Sequence, residues 1–212
     1  MKFAAAELKT ALFLGAHCDD IEIGCGGTVL KLIAEHPDLN CHWVVFSSDT
    51  TRAAEARKSA QRFLAGARKK NVLIKEFRNG FFPYIGAEIK DYFEALKGEI
   101  SPDVIFTHTR FDLHQDHRVI CELTWNTFRD HLILEYEIAK YDADLRSPNF
   151  FVPLTGEVCQ EKVAAILDCF TSQKDKHWFT GETFVSLLRL RGIECNAKDG
   201  HAEGFYCRKL VI

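Results

Sequence analysis

Thr10-Ala11-Leu12-Phe13-Leu14-Gly15-Ala16-His17-Cys18-Asp19-Asp20 is the stretch on which the fold turns. Residues 10–16 are a continuous apolar run of strand length that stops abruptly at a histidine and two carboxylates. A strand that is apolar on both faces belongs inside a sheet covered from both sides, the usual setting of parallel strands. Polar residues placed just beyond such a strand stand where open α/β sheets bind their ligands.

The same alternation continues outward along the chain. A helix over 26–36, closed by Pro37, precedes a second strand at 41–47. A helix at 51–67 follows, with Ala53, Ala56, Ala60, Phe63, Leu64 and Ala67 on one stripe, and then a strand at 71–77. Ile85, Ile89, Tyr92, Phe93, Leu96 and Ile100 recur every three or four residues and mark a helix ending before Pro102. Strand 103–107, helix 117–130 and strand 131–137 come next. Beyond these, strands near 150–154 and 205–212 and helices near 157–170 and 181–190 are expected to cover the sheet edge and shape a pocket. The pattern predicts an α/β fold with a Rossmann-like, mostly parallel sheet flanked by helices, in one domain spanning 1–212.

Composition narrows the function. With 27 Lys and Arg against 30 Asp and Glu, the net charge is −3 and no basic face is available for a phosphate backbone, so nucleic acid is not an expected partner. The eight cysteines form no Cys-x-x-Cys pair and sit mostly in apolar stretches, as reduced thiols do in a cytoplasmic protein. Glu7 and Lys9 interrupt any signal-peptide core, and the apolar runs fall short of the roughly 18 residues of a membrane span. Homo-oligomerisation is compatible with everything above.

About a hundred residues downstream, His114-Gln115-Asp116-His117 follows the fourth predicted strand. His17 and Asp20 sit on a segment able to curl around an ion, and His117 opens a helix opposite them. Two imidazoles and a carboxylate make a three-ligand site of the kind that catalytic zinc uses, with positions left for water and substrate. Co, Fe, Mn and Ni accept the same ligand types. Taken alone, Asp19 or Asp20 better suits a helix cap or turn, and His114 and His117 equally suit the surface of a helix start. Two motifs, each at a strand end, favour convergence at the C-terminal ends of the strands. The glycines at 24, 26 and 27 lack the third glycine of a dinucleotide fingerprint, and they are expected to permit close backbone approach where the loop meets its helix.

Ala16-His17-Cys18-Asp19-Asp20 and His114-Gln115-Asp116-His117 together resemble the PIG-L or LmbE-like zinc-dependent N-deacetylases, whose signature is Ala-His-Pro-Asp-Asp followed later by His-x-Asp-His. The glycine-rich run and Ala202-Glu203-Gly204-Phe205 extend the resemblance nearly end to end. The resemblance implies one divalent ion, zinc by preference, held by His17, Asp20 and His117. It also implies Asp19 as general base, His114 as the oxyanion-stabilising group and Asp116 as a carboxylate orienting a histidine. Its implied substrate is a small N-acetylated amino sugar or glycoconjugate, from which it would release acetate.

Arg52 and Glu55 look like the family's Arg-x-x-Glu, where the arginine reaches substrate; an exposed i,i+3 ion pair is the alternative. Cys18 replaces the proline of the first motif and is expected to point away from the ion. His201 stands where relatives carry tyrosine. Asn79, Arg110, Asp112, Gln173, Arg189 and Arg191 are expected around the pocket rim. Lys174, Lys176 and Trp178 suit a loop covering a nucleotide-linked substrate, or an ordinary solvated loop. Two other classes compete: a Rossmann-type sugar-nucleotide oxidoreductase, which has no use for His-x-Asp-His, and a non-catalytic metal-binding protein, against which Asp19 and His114 speak.

Overall fold

A computed structural model describes residues 8–211. The N-terminal stretch 1–7 and Ile212, the last residue of the expected final strand, lie outside the described residues. Among the described residues seven strands form a single sheet: β1 (Thr10–Gly15), β2 (Asn40–Val45), β3 (Lys69–Ile74), β4 (Val104–His108), β5 (Leu132–Tyr136), β6 (Phe150–Leu154) and β7 (His201–Tyr206). Their spatial order is β3-β2-β1-β4-β5-β7-β6. The first five are parallel, and β7 runs antiparallel to both β5 and β6.

Alternate residues of each central strand feed opposite cores. Ala11, Phe13, Trp43 and Val45 join one, under α1 (Asp20–Glu35), α2 (Thr50–Phe63) and α5 (Gly156–Cys169). Leu12, Leu14, Val44 and Phe46 join the other, under α3 (Gly86–Glu99) and α4 (Gln115–Thr127). That two-sided burial is why the strands read as unbroken apolar runs. A sixth helix, α6 (Gly181–Glu194), packs beside β7. Among the described residues no helix is long and apolar enough to cross a membrane.

Two expectations need correction. The last strand is at 201–206 rather than 205–212, because Phe205 pairs with Tyr136 and Phe150 in the sheet interior and strand pairing is over by Cys207. The first helix begins at Asp20 rather than residue 26, so Gly24, Gly26 and Gly27 lie inside it. They still serve close approach, of helix against sheet: a Cβ on Gly24 would sit 2.1 Å from the Tyr136 ring and one on Gly27 2.4 Å from Leu154. The same helix is kinked at Cys25 (φ −144°, ψ 16°), which frees backbone N–H groups in mid-helix. The Glu203 carboxylate accepts from Gly27 N and Thr28 N at 2.8 and 2.7 Å and pairs with buried Lys162 at 2.7 Å, so it caps the second half of the helix.

Candidate metal centre and its surroundings

The chain leaves β1 for β2 on one side and later returns for β4 on the other, so the C-terminal ends of β1 and β4 border the point where strand order reverses. His17 to Asp20 follow β1, His108 ends β4, and Asp112 to His117 follow it. The two motifs therefore meet although a hundred positions separate His17 from His117.

Three ligand-type atoms converge there. His17 Nδ1 lies 3.1 Å from His117 Nε2, and Asp20 Oδ2 lies 3.4 Å from the first and 3.5 Å from the second. Ligands about 2.1 Å from a tetrahedral zinc ion are separated by about 3.4 Å, so the spacing fits such an ion. Each imidazole is oriented from behind. His117 Nδ1 donates to Asp112 Oδ2 at 2.8 Å, which leaves Nε2 as a lone pair aimed inward. His17 Nε2 faces Asp116 Oδ2 at 3.2 Å, so its Nδ1 is the inward atom. Acceptors packed this closely repel one another unless a cation lies among them.

The electrostatics agree. Burial works against a charged His17, but Asp20 and Asp116 outweigh it and push its pKa up to about 9. Burial and neighbouring His108 push His117 down to about 3, leaving it neutral and suited to a metal. Asp20 and Asp112 are held well below the usual carboxylate range: burial opposes their charge, and the surrounding histidines prevail. His17, Asp20 and His117 could thus hold a divalent ion, and without one the cluster holds a proton on His17. A ring nitrogen of His114 also lies within 4.8 Å of those of His17 and His117.

Asp19 is the N-cap residue of α1, yet its side chain makes no capping bond. It turns instead to Arg52, whose Nη2 donates to Oδ1 at 2.6 Å. Nor does Asp20 cap the helix end; its Oδ2 accepts from His17 N at 2.6 Å. His114 opens α4, and its Nδ1 accepts from Asp116 N at 3.2 Å, so the ring proton belongs on Nε2. Burial and the charge of His17 lower the His114 pKa. Asp116 also accepts from Gly80 N at 2.6 Å and Phe82 N at 3.2 Å, tying the loop after β3 to the centre.

Several expected rim residues lie elsewhere. Asp112 is 1% exposed and sits behind His117, bonded also to Lys140 at 3.0 Å. Arg191 is buried against Glu137, and Gln173 is buried with its Nε2 donating to Ser172 Oγ. Arg52 makes no pair with Glu55, because Glu55 accepts from Ser172 N and Thr171 Oγ1 and so anchors the loop that carries Lys174, Lys176 and Trp178. Lys174 and Lys176 are exposed, with Lys176 Nζ 5.4 Å from the Trp178 ring centroid. Arg110 is exposed just beyond β4. His201 starts β7, its Nδ1 2.8 Å from the Asp199 carbonyl oxygen. Cys18 turns into the core, with Sγ 3.4 Å from Ser47 O, and burial pushes its thiol up to about 12.

His108 escaped the sequence. It is fully buried, accepts from Ala16 N through Nε2 at 2.9 Å, lies 3.2 Å from Asp20 Oδ2 and stacks on His117 with ring centroids 3.9 Å apart. As the last residue of an apolar strand it carries no spacing signal. Asp112 does carry one, two residues before His114, but its burial could not be read from the sequence.

Residues 12–128 match the family model described as PIG-L, GlcNAc-PI de-N-acetylase. No curated protein matches the chain. Among solved structures, the N,N'-diacetylchitobiose deacetylase of Pyrococcus horikoshii is similar at a TM-score of 0.70 and 19% identity, over 95% of this chain and 84% of that one. The teicoplanin deacetylase Orf2 gives 0.74 at 11% identity over 94% and 97%. GalB, a 4-carboxy-2-hydroxymuconate hydratase from a Pseudomonas, gives 0.72 at 16% identity over 97% and 98%. At these identities the structural likeness establishes the fold alone.

Proposed function

The chain belongs to the PIG-L family of GlcNAc-PI de-N-acetylases, and from that premise we propose that it is a zinc-dependent hydrolase removing the acetyl group from an N-acetylated amino sugar or its conjugate. The observation that carries the proposal is the convergence of His17 Nδ1, His117 Nε2 and Asp20 Oδ2 within 3.5 Å of one another, beside an Asp19 that is ion-paired rather than capping its helix.

A divalent ion at these three residues would supply Lewis-acid polarisation of water and of the acetyl carbonyl. This chain's residues handle the protons. Arg52 fixes Asp19 through Oδ1, which leaves Oδ2 to take a proton from the attacking water. His114 stays neutral and presents Nε2–H to the oxyanion of the tetrahedral intermediate. Asp19 then returns its proton to the departing amine, so acetate and a free amino sugar leave. Asp112 and Asp116 hold the two ligand imidazoles in their working tautomers.

For the substrate, the nucleotide-linked form rests on Lys174, Lys176 and Trp178, whose loop Glu55 anchors one turn along α2 from Arg52. Arg110 and His201 complete the candidate substrate contacts. A cytoplasmic setting is supported by eight free thiols. The deciding experiment loads the protein with zinc and offers it a panel of free, thiol-linked and nucleotide-linked N-acetyl amino sugars. Acetate and primary amine should appear in equal amounts and vanish on chelation. No acetate from any member, or turnover indifferent to chelation, would overturn the proposal.

A further inference from the structure

Beside the centre lies a pair of rings that the mechanism leaves unused. The loop after β3 turns at Gly80 (φ +77°) and is fastened to the centre: Gly80 N and Phe82 N donate to Asp116, and Gln115 Nε2 donates to Gly80 O at 2.6 Å. Phe82 is fully buried, its ring centroid 6.2 Å from that of His17. Its neighbours face water instead. Phe81 is 37% exposed and Tyr84 79% exposed, with ring centroids 5.9 Å apart and planes at 55°. The Arg78 guanidinium covers one face of Phe81 at 3.5 Å. On the other motif, Leu113 is 55% exposed directly before His114.

Aromatic rings are the side chains that gain most from leaving water, so two adjacent ones held open need a reason. Here they stand on a segment held by two hydrogen bonds to Asp116, which faces His17, and by a third from the adjacent Gln115. Phe81 is one residue, about 3.8 Å of chain, from the ring packed against His17. Aromatic faces accept flat rings by stacking, and the Arg78 guanidinium holds Phe81 ready for it at little entropic cost.

Resting on the deacetylase reading, we propose that Phe81 and Tyr84, with Arg78 behind Phe81, form a stacking subsite for a flat aromatic group attached to the acetylated amino sugar. An aryl aglycone and a nucleobase share that chemistry.

The test uses isothermal titration of the zinc-loaded full chain carrying Asp19→Asn, which suppresses turnover, with the methyl, phenyl and uridine-diphosphate conjugates of N-acetylglucosamine, alongside acetate release by the zinc-loaded unsubstituted chain. The phenyl conjugate should bind about tenfold more tightly than the methyl one. That advantage should disappear in Tyr84→Ala and Phe81→Ala, persist in Tyr84→Phe, and leave methyl-conjugate affinity unchanged in every variant. The sources separate in the same experiment: a nucleobase-directed subsite gives the diphosphate conjugate a gain lost in the same two variants, and an aryl-directed one leaves that conjugate unaffected by them. Equal affinity for methyl and phenyl conjugates, or a phenyl advantage that survives both alanine variants, would overturn the subsite. If the phenyl advantage behaves as stated but no conjugate releases acetate, the subsite stands and the deacetylase reading falls.

Discussion

Asp19 and Asp20 are neighbours with the same side chain and opposite surroundings. Asp20 faces three histidines and accepts a backbone N–H, while Asp19 meets one arginine. Substitution should separate their roles. Asp19→Asn is expected to keep its zinc, measured by elemental analysis, and lose about 10² to 10⁴ in kcat, the usual contribution of a positioned base. His17→Ala and His117→Ala should lose the zinc itself. His114→Ala should lower kcat by about 10²- to 10³-fold with little change in KM, because its bond is to charge that develops only in the transition state. Asp112→Ala frees the His117 tautomer, so zinc affinity measured against a competing chelator should fall about 10- to 100-fold.

At the scale of elements, α1 supplies the candidate ligand Asp20 and depends on a support from β7, the strand next to the sheet edge. Its kink at Cys25 is closed by Glu203 from β7, and Glu203 shares Lys162 from α5 with the Ile23 carbonyl. Glu203→Ala would leave a buried ammonium with only that carbonyl and two N–H groups without an acceptor. Breaking such a pair costs about 3–5 kcal/mol, enough to lower Tm by on the order of 10 °C in a chain of this size. The double variant Glu203→Ala with Lys162→Met should recover part of the loss in a thermal melt, since it removes the stranded charge. Failure to recover would mean that the helix cap, not the ion pair, sets the cost. Gly24→Ala should also destabilise, because its methyl would meet the Tyr136 ring, which is itself fixed by a hydrogen bond to Leu14 O at 2.6 Å.

For the whole molecule, the ligand cluster shapes stability against pH. In the metal-free protein His17 has a folded pKa of about 9, above its ordinary 6.5, so it adds stability that is complete below 6.5 and lost as pH rises through 9. His117 is shifted the other way, to about 3, so the unfolded chain takes up a proton between 6.5 and 3 that the folded one refuses, and stability falls over that window. Asp20 and Asp112 act in the same acid direction. Chelated protein should therefore have its highest Tm near pH 6.5 and fall on both sides. Zinc should flatten the alkaline side, and its binding at pH 7 should release about one proton, seen as a dependence of the titration heat on buffer ionisation. A Tm unchanged between pH 6.5 and 9.5 in chelated protein would contradict the charge assigned to His17.

The alternation of strands and helices was already legible in the chain's own pattern, because a strand buried on both faces has to be apolar throughout and a half-buried helix has to repeat every three or four residues. The sequence also carried both halves of the candidate site, since His17 to Asp20 and His114 to His117 are local motifs standing just past strand-length runs. What it could not carry was anything set by strand order. The meeting of His17 with His117, Asp112 and His108 behind the ligands, Arg52 turned to Asp19 rather than Glu55, and Glu203 closing a kink 178 positions away from Cys25 all join residues with no shared period. Local preference acts over a few residues, whereas these contacts follow from the crossing between β1 and β4 and from an antiparallel β7, which only the packed sheet decides.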